Sequence, residues 1–139
     1  MCATRYLYDF SLWYCLNDAH VATNIISTLE QNNYNGYDEH RDKIAGTQAI
    51  TGTTRVIQSS RISFLIVSAT SLHDPWFERV SEWNLVNFVD QEAVKVVPIY
   101  VGIDESQRPL ILRFLTSLNF DCKYFQKKLL NSMKLRNHH

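Results

Sequence analysis

The sequence predicts an α/β fold in which helices cover both faces of a parallel sheet. Two nearly continuous apolar runs, residues 62–67 and 94–101, are typical of strands that are buried on both sides. Segments with apolar residues at helical spacing alternate with the strand-like runs. This alternation favours a parallel sheet whose crossovers are right-handed. The chain has 139 residues and no long polar or Pro/Gly-rich interruption, so we expect one domain.

A first strand and helix are predicted near the start of the chain. Residues 6–15 are rich in aromatic and aliphatic side chains and favour a strand. Asn17 and Asp18 then supply a helix-capping signal. Apolar residues follow at helical spacing as far as Leu29. The order predicted here is strand, turn, helix.

A second, weaker strand is predicted over residues 34–40, and an amphipathic helix over residues 47–61. The apolar positions of that helix are Ala49, Ile50, Val56 and Ile57. Between the two elements lies a loop with an arginine-aspartate pair, an apolar residue and a terminating glycine. Its residues are Arg41, Asp42, Lys43, Ile44, Ala45 and Gly46. Loops that follow strands in open α/β sheets carry binding, so we predict a contact site here.

The second half of the chain alternates in the same way. Residues 62–67 are predicted to form a central strand, and residues 76–89 a helix. We expect that helix to bury Trp76, Val80, Trp83 and either Leu85 or Val86. Residues 94–101 form the next predicted strand. Pro98 is expected near its end or beside an unpaired edge, because proline lacks a backbone donor.

The last elements are predicted to be short. Residues 110–115 are too apolar for a loop and are expected to pack as a short helix. Residues 118–120 are expected to form a short final strand. The closing helix has an apolar stripe made of Phe125, Leu129, Leu130 and Met133.

Charge and hydropathy exclude several classes of function. Lysine plus arginine and aspartate plus glutamate both number 14, so no face is marked for nonspecific nucleic-acid binding. The longest apolar runs are far shorter than the roughly 20 residues of a membrane span. The amino terminus shows no charged-then-apolar signal pattern. We therefore expect a soluble, cytoplasmic chain.

Cysteine and histidine spacing predicts no metal site and no cofactor. Cys2, Cys15 and Cys122 lack paired spacing and are expected to be reduced thiols. His20, His40 and His73 are scattered along the chain. His138 and His139 follow a basic end, as an affinity-tag remnant does, and are left out of the metal argument.

Several short segments resemble, in order, the signature positions of a Toll/interleukin receptor (TIR) domain. They are Tyr8-Asp9 with Tyr14-Cys15, Arg41-Asp42 ending in Gly46, Val67-Ser68, Asp74-Pro75-Trp76 and Val97-Pro98-Ile99. The resemblance covers residues 6–134, with residues 1–5 as a flank and 135–139 as a tail. It implies a three-layer fold with a five-stranded parallel sheet of flavodoxin-like order. It also implies a signalling module that assembles with other TIR domains, itself included, in innate immunity.

The branch of the family is indicated by three further segments. Residues 29–34, 41–47 and 111–116 resemble the branch of the myeloid differentiation primary response adaptor. Asp74-Pro75-Trp76 instead resembles the receptors and the MAL bridging adaptor. An adaptor is therefore predicted, with the cytoplasmic TIR domain of a Toll-like receptor as the alternative.

Two contact regions follow from the resemblance. The loop from Arg41 to Gly46 corresponds to the BB loop of the family, although Ala45 replaces its customary proline. Arg41 and Asp42 have two open interpretations, a local ion pair that fixes the loop and a partner contact. The second predicted interface contains Asp74, Trp76, Glu78, Trp83, Tyr124 and Phe125. We treat it as a surface distinct from the loop.

Some TIR domains hydrolyse NAD with a glutamate four residues after a tryptophan on the third helix. Val80 occupies that position here and offers neither a charge nor a proton. Glu78 and Glu82 lie two residues to either side, about 160° away around a helix. We therefore predict a protein that is not an enzyme, with a TIR-type NAD hydrolase as the competing hypothesis.

Overall fold

The computed structural model describes residues 6–43, 45–46, 49–90 and 94–134. Five parallel strands form one sheet in the order β2-β1-β3-β4-β5. The strands are β1 (Tyr8–Trp13), β2 (Gly36–Asp38), β3 (Ser60–Val67), β4 (Lys95–Tyr100) and β5 (Leu118–Asn119). The predicted α/β class is confirmed, and β3 is the central strand as expected.

Helices pack on both faces of the sheet and complete the three layers. They are α1 (Ala19–Gln31), α2 (Glu39–Asp42), α3 (Ala49–Gln58), α4 (Pro75–Asp90) and α5 (Phe125–Ser132). Side chains of α1 and α5 share one core cluster with the sheet, while α3 and α4 share the other. None of the described helices is both long and apolar enough to cross a lipid bilayer.

The face covered by α1 and α5, which we call the apolar face, carries only hydrophobic side chains at its centre. Phe10, Leu12, Phe64 and Ile66 point to it from β1 and β3, because alternate residues of a strand share a face. Ile25 of α1 packs there too, fully buried. This face supplies a continuous hydrophobic core.

The face covered by α3 and α4, which we call the mixed face, contains buried polar groups as well. Ser11 of β1 and Ser63 of β3 lie side by side, with their Oγ atoms 3.1 Å apart. Nε1 of Trp13 donates a hydrogen bond to Ser11 Oγ at 2.9 Å. Burial of these groups is tolerated because each finds a partner within the sheet.

Gly36 of β2 makes room for the large ring of Phe10. The two residues are paired in the β1–β2 register. A Cβ atom at position 36 would lie 2.0 Å from Cζ of Phe10, so any larger residue requires the ring to move. A glycine therefore allows a phenylalanine at a buried position of β1.

Pro98 lies where the sheet does not need its missing donor. It is paired with Leu65 in the register of β3 and β4. The pairing of β4 with β5 starts one residue later, at Ile99. Pro98 therefore lies in an inner strand, just before the residues of β4 that pair with β5.

The helix faces match the expectation only in part, because Leu85 and not Val86 is the half-buried member of the predicted pair. Ile50 and Val86 are exposed, while the polar residues Thr53 and Asn84 are buried in α3 and α4. The buried face of α4 follows Phe77, Val80, Ser81 and Asn84. Trp76 and Trp83 flank this face and are half-buried, because the helix is rotated relative to the tryptophan spacing.

The segment before β5 also differs from the expectation. It contains a single 3₁₀ turn, Leu110–Leu112, and of these three residues only Leu112 is buried. Leu110 and Phe114 are exposed. Apolar composition does not ensure burial, since much of a protein surface is apolar.

Candidate interaction surface

The carboxyl ends of β1, β2 and β3 meet at one edge of the sheet. The strand order reverses here, because β2 lies on one side of β1 and β3 lies on the other. In open α/β sheets this is the crevice where ligands and partners bind. Helix α2 begins directly after β2 and lies at this edge.

The predicted loop begins as a helical turn, which corrects the expectation for its first two residues. Arg41 and Asp42 belong to α2. Asp38 precedes the helix, and its Oδ1 accepts a hydrogen bond from the backbone N–H of His40 at 3.0 Å. Oδ2 of Asp42 accepts from the backbone N–H of Asp38 at 2.9 Å. The two carboxylates close the turn from both ends.

Arg41 ties this turn to the rest of the chain. Its Nε and Nη2 atoms donate to Asp42 at 2.9 and 2.8 Å. Nη1 donates to Glu30 of α1 at 3.0 Å, and Nη2 to the carbonyl of Gly36 at 3.2 Å. Hydrogen bonds to Asp42, then to Glu30, hold the pKa of Arg41 above its ordinary value despite partial burial. The structural interpretation of the arginine-aspartate pair is therefore supported.

Glu39 is a buried carboxylate that the sequence did not single out. It is 7% exposed, and its Oε2 accepts a hydrogen bond from Nε1 of Trp76 at 2.5 Å. Burial raises its pKa, while the Trp76 donor and the charges of His40 and Lys43 oppose that rise. The contact joins α2 to α4 across 37 residues of sequence.

Tyr14 and His40 complete the packing around α2. The hydroxyl of Tyr14 donates to Asp38 Oδ1 at 2.7 Å, and burial followed by this hydrogen bond raises the pKa of Tyr14. Nε2 of His40 donates to the carbonyl of Tyr14 at 2.9 Å. The α2 turn is thus fixed to β1 as well as to α1.

Lys43 follows α2 and faces α4. Its Nζ lies 5.6 Å from the ring centroid of Trp76, a cation–π distance. Trp76 meets Trp83 edge to face, with 5.6 Å between ring centroids. We call Lys43, Trp76 and Trp83 the cation–indole surface. The two contact regions that we expected to be distinct are contiguous at this point.

Other predicted contact residues are placed differently. Asp74 is engaged inside the chain, because its Oδ1 accepts from the backbone N–H of Trp76 at 3.0 Å. Its Oδ2 accepts from Sγ of Cys15, also at 3.0 Å. Phe125 is 5% exposed and lies in the core of the apolar face. Its buried ring offers no surface to a partner, which corrects that expectation.

The remaining predicted residues are exposed. Glu78 lies on the outside of α4, and Tyr124 precedes α5 with Nζ of Lys123 5.4 Å from its ring centroid. Ala45 and Gly46 are exposed, and Gly46 adopts a φ of 88°. This is a left-handed conformation that suits glycine. Ile44 lies outside the described residues.

Two further buried polar contacts lie at the same edge. Oγ of Ser68 donates to Asp18 Oδ2 at 2.6 Å, so Asp18 binds β3 rather than capping α1 with its side chain as expected. Burial, then the hydrogen bond to Asp74, raises the pKa of the Cys15 thiol to about 12. Among the described residues, no group of three histidine, cysteine or acidic side chains is placed to hold a metal ion.

The sequence matches the family model of the TIR domain over residues 16–133. The match covers most of the chain, and the chain belongs to the TIR domain family. A search of curated proteins gives no match to the sequence.

Solved structures with the same fold come from several kinds of protein. A metazoan TIR-STING receptor from C. gigas, in complex with 2',3'-cGAMP, aligns with a TM-score of 0.80 and 18% identity over 97% of this chain. This chain covers 42% of that receptor. The TIR domain of the Toll-related receptor TRR-2 from Hydra magnipapillata aligns with a TM-score of 0.77 and 18% identity, over 91% of this chain and 98% of that chain.

A third similar structure comes from the activated Roq1 resistosome, which directly recognises the pathogen effector XopQ. Its TIR domain aligns with a TM-score of 0.65 and 18% identity, over 71% of this chain and 60% of that chain. At these identities the likeness establishes the fold. The flavodoxin-like five-stranded sheet is therefore confirmed.

Proposed function

We propose that this TIR domain is a signalling module that assembles with other TIR domains, including copies of itself. The cation–indole surface is the contact we assign to it. One observation carries the proposal: Lys43 and Trp76 lie together at the carboxyl edge of the sheet. Tryptophan rings that reach a surface are typical of interface anchors, and Lys43 adds a charge beside them.

The anchoring of α2 supports this assignment. Arg41 and Asp42 are engaged within the chain, so they hold the position of Lys43 rather than contact the partner. Ala45 and Gly46 extend the exposed stretch. In this arrangement the arginine-aspartate pair orients the contact and Lys43 makes it.

A second contact is proposed around Tyr124, before α5 and away from the mixed face. Two different surfaces on one domain give head-to-tail contacts, which extend into an open assembly. Each contact is expected to be weak, and many tethered copies then raise the effective concentration. We place the domain in the cytoplasmic part of an innate-immune pathway and favour the adaptor branch over a receptor.

Association of purified TIR domains tests the cation–indole surface. Lys43→Glu reverses the charge beside Trp76 and is expected to weaken binding to a partner TIR domain at least tenfold, measured by biolayer interferometry. Arg79→Glu, an exposed position on α4, is the matched control and is expected to bind normally. Thermal melting of Arg79→Glu is expected to match the unmodified domain, because that side chain is exposed. Lys43→Glu is expected to melt slightly lower, because it removes a charge that favours ionised Glu39, so binding is compared at a temperature where both variants are folded.

Two results contradict the proposal. Full binding by Lys43→Glu removes this surface from the contact. An equal loss in Arg79→Glu shows that net charge, and not the surface, determines association. Ile44→Glu tests the adjoining position of the predicted loop and is expected to abolish partner capture.

NAD hydrolysis is the second candidate function, and Glu39 is the observation that favours it. Val80 is buried, and Glu78 and Glu82 are exposed. Glu39 is a carboxylate of raised pKa at the carboxyl edge, in contact with Trp76. Raised carboxyl pKa values are common at catalytic sites. The Trp76 donor occupies one of its oxygens, which is why we rank assembly first.

Nicotinamide release from NAD separates the two functions. We expect no turnover by the purified domain. Turnover that is lost in Glu39→Gln but kept in Glu78→Ala and Glu82→Ala would identify Glu39 as the catalytic carboxylate. Turnover lost in either alanine variant would return the role to α4.

A further inference from the structure

A cavity of about 220 Å³ lies between α3 and the edge of the sheet formed by β2 and the start of β1. Asp42 and Lys43 border it, and neither Trp76 nor Trp83 lines it. Its wall relevant to binding consists of Tyr8, Tyr37, Thr53, Arg55 and Val56. This volume lies below the roughly 300 Å³ at which ordinary ligand pockets begin, so it suits a compact ring and not a larger ligand.

The hydroxyl groups of two largely buried residues line the cavity. Tyr37 is 8% exposed and Thr53 is 6% exposed. Neither hydroxyl makes a hydrogen bond to any other residue in the part of the chain that the structure describes. A hydroxyl group both donates and accepts hydrogen bonds. Because both residues line the cavity, their hydroxyls are available to a ligand that enters.

Aromatic and aliphatic surface forms the rest of the wall. The rings of Tyr8 and Tyr37 pack at 5.4 Å between centroids, tilted by 57°. Val56 of α3 contributes an aliphatic side chain to the same cavity. Apolar walls with a few polar groups are typical of small-molecule sites, where a flat ring gains most from aromatic contact.

The cavity has a positively charged side chain that can pair with an anionic ligand. Arg55 is exposed and has no carboxylate partner among the described residues. Asp42 also lines the cavity, but Arg41 neutralises it through two hydrogen bonds. The ammonium group of Lys43 lies over Trp76 instead. A guanidinium without a partner favours a carboxylate ligand.

We propose that this cavity binds a small aromatic carboxylate that carries a ring oxygen. The ring packs against Tyr8 and Tyr37, the ring oxygen accepts hydrogen bonds from the Tyr37 and Thr53 hydroxyls, and the carboxylate pairs with Arg55. Burial raises the pKa of Tyr37 to about 12, so its hydroxyl keeps the proton that it donates. The cavity shares Lys43 with the cation–indole surface, so ligand binding is measured on the isolated domain, where a partner cannot affect it.

The test uses 6-hydroxy-2-naphthoate, which has the ring, the oxygen and the carboxylate. Its binding is followed by chemical-shift changes in the amide spectrum of the domain. With about 14 non-hydrogen atoms, an ordinary ligand efficiency gives a dissociation constant of about 1 mM or tighter. The shifts are expected at residues of β2 and α3 that surround the cavity.

Two variants separate the carboxylate contact from the ring-oxygen contact. Arg55→Gln and Thr53→Val are each expected to weaken binding at least fivefold, whereas Arg79→Gln on α4 leaves it unchanged. The neutral probe 2-naphthol is expected to bind the unmodified domain more weakly than the hydroxynaphthoate. In Arg55→Gln this preference for the carboxylate disappears.

The proposal is overturned by an absence of shifts at millimolar probe, or by shifts that map away from the cavity. It is also overturned if Arg55→Gln and Arg79→Gln reduce affinity equally. If Thr53→Val does not fold, Tyr37→Phe is used in its place to test the hydrogen bond to the ring oxygen. The matching probe is 2-naphthoate, which lacks that oxygen. In Tyr37→Phe, the affinity for 6-hydroxy-2-naphthoate is expected to fall to that for 2-naphthoate. A higher affinity for the hydroxynaphthoate that persists in this variant contradicts the assigned hydrogen bonds.

Discussion

The two faces of the sheet differ in how completely their side chains are packed and hydrogen-bonded within the domain. On the apolar face, the side chains of β1 and β3 are packed against α1 and α5 in a hydrophobic core. On the mixed face, buried serines and an indole share hydrogen bonds, and a cavity lies beneath α3. The cation–indole surface adjoins this second face. The comparison teaches that one face supplies stability while the other keeps groups free for binding.

The largest expected loss of stability comes from a substitution that disrupts the packing of the apolar face. Gly36→Ala places a Cβ atom 2.0 Å from Cζ of Phe10, so the ring or the strand must move. Overpacking of this kind costs about 3 kcal/mol, measured by urea denaturation. Gly46→Ala is the control, with open space around its Cβ position. Its positive φ strains an alanine at this position, and this strain is expected to cost about 1 kcal/mol in the free energy of unfolding.

A rescue variant confirms the cause. Leucine at position 10 shortens the side chain that meets Gly36, so the Phe10→Leu, Gly36→Ala double variant is expected to be less unstable than the sum of the two single changes. Strict additivity would show that Gly36 acts through its backbone and not through the Phe10 ring.

The second effect tests the polar groups of the mixed face. Ser11→Val removes the acceptor of the Trp13 N–H and the partner of the Ser63 hydroxyl. Leaving a buried donor unsatisfied is expected to cost about 2 kcal/mol. Ser63→Ala keeps the Trp13–Ser11 bond and is expected to cost about half as much. Equal losses in denaturation experiments would contradict this ranking.

A smaller effect concerns pH at the carboxyl edge. Burial raises the pKa of Glu39 in the folded state. The folded state therefore binds more protons than the unfolded state between the unfolded and folded pKa values, and stability falls as pH rises through that window. Glu39→Gln removes this loss and keeps an acceptor for Trp76. The free energy of unfolding of the variant, relative to the unmodified domain, is expected to increase with pH.

Asp42 contributes a pH dependence of stability with the opposite sign, so the pH range is chosen to avoid its titration. Burial opposes ionisation, but the hydrogen bonds from Arg41 and from the Asp38 N–H hold the pKa of Asp42 below its ordinary value. Its contribution is lost as pH falls through the folded pKa. The titration therefore starts at the ordinary pKa of a glutamate, where Asp42 is ionised. A flat difference between variant and unmodified domain would contradict the assignment to Glu39.

The smallest effect leaves stability unchanged and concerns thiol reactivity. The Cys15 thiol, with its pKa raised to about 12, is almost entirely protonated at neutral pH and reacts poorly. Cys122 is half-buried. Peptide mass spectrometry after iodoacetamide treatment is expected to find Cys122 modified and Cys15 modified only after unfolding. Similar rates at the two sites in the folded domain would disprove the protected state of Cys15.

Local patterns in the sequence were sufficient for the order of elements and for the central position of β3. The apolar run of β3 and the helical spacing of α1 depend on neighbours in the chain, whereas the side chain of Asp18 binds Ser68 and does not cap α1. The short helix α2 was missed because it forms through Arg41, whose partner Glu30 lies on another helix. Such a contact leaves no periodic signal.

The candidate surface was predicted in part. Lys43 and Trp76 were both selected, but their contiguity required the fold, since β3 lies between them in the sequence. Glu39 was missed because an acidic residue that follows a strand is normally expected to be exposed to solvent. Phe125 was assigned both to the apolar stripe of the closing helix and to the second interface, and its burial supports the first assignment.

The hydrogen bonds of Arg41 also affect the entropy of association. A flexible segment loses conformational freedom when a partner orders it, and that loss weakens binding. Arg41 already fixes the turn before Lys43 to Glu30 and to the Gly36 carbonyl. The domain therefore presents Lys43 from an ordered backbone, and association is expected to carry a smaller entropic penalty than it would with a free loop.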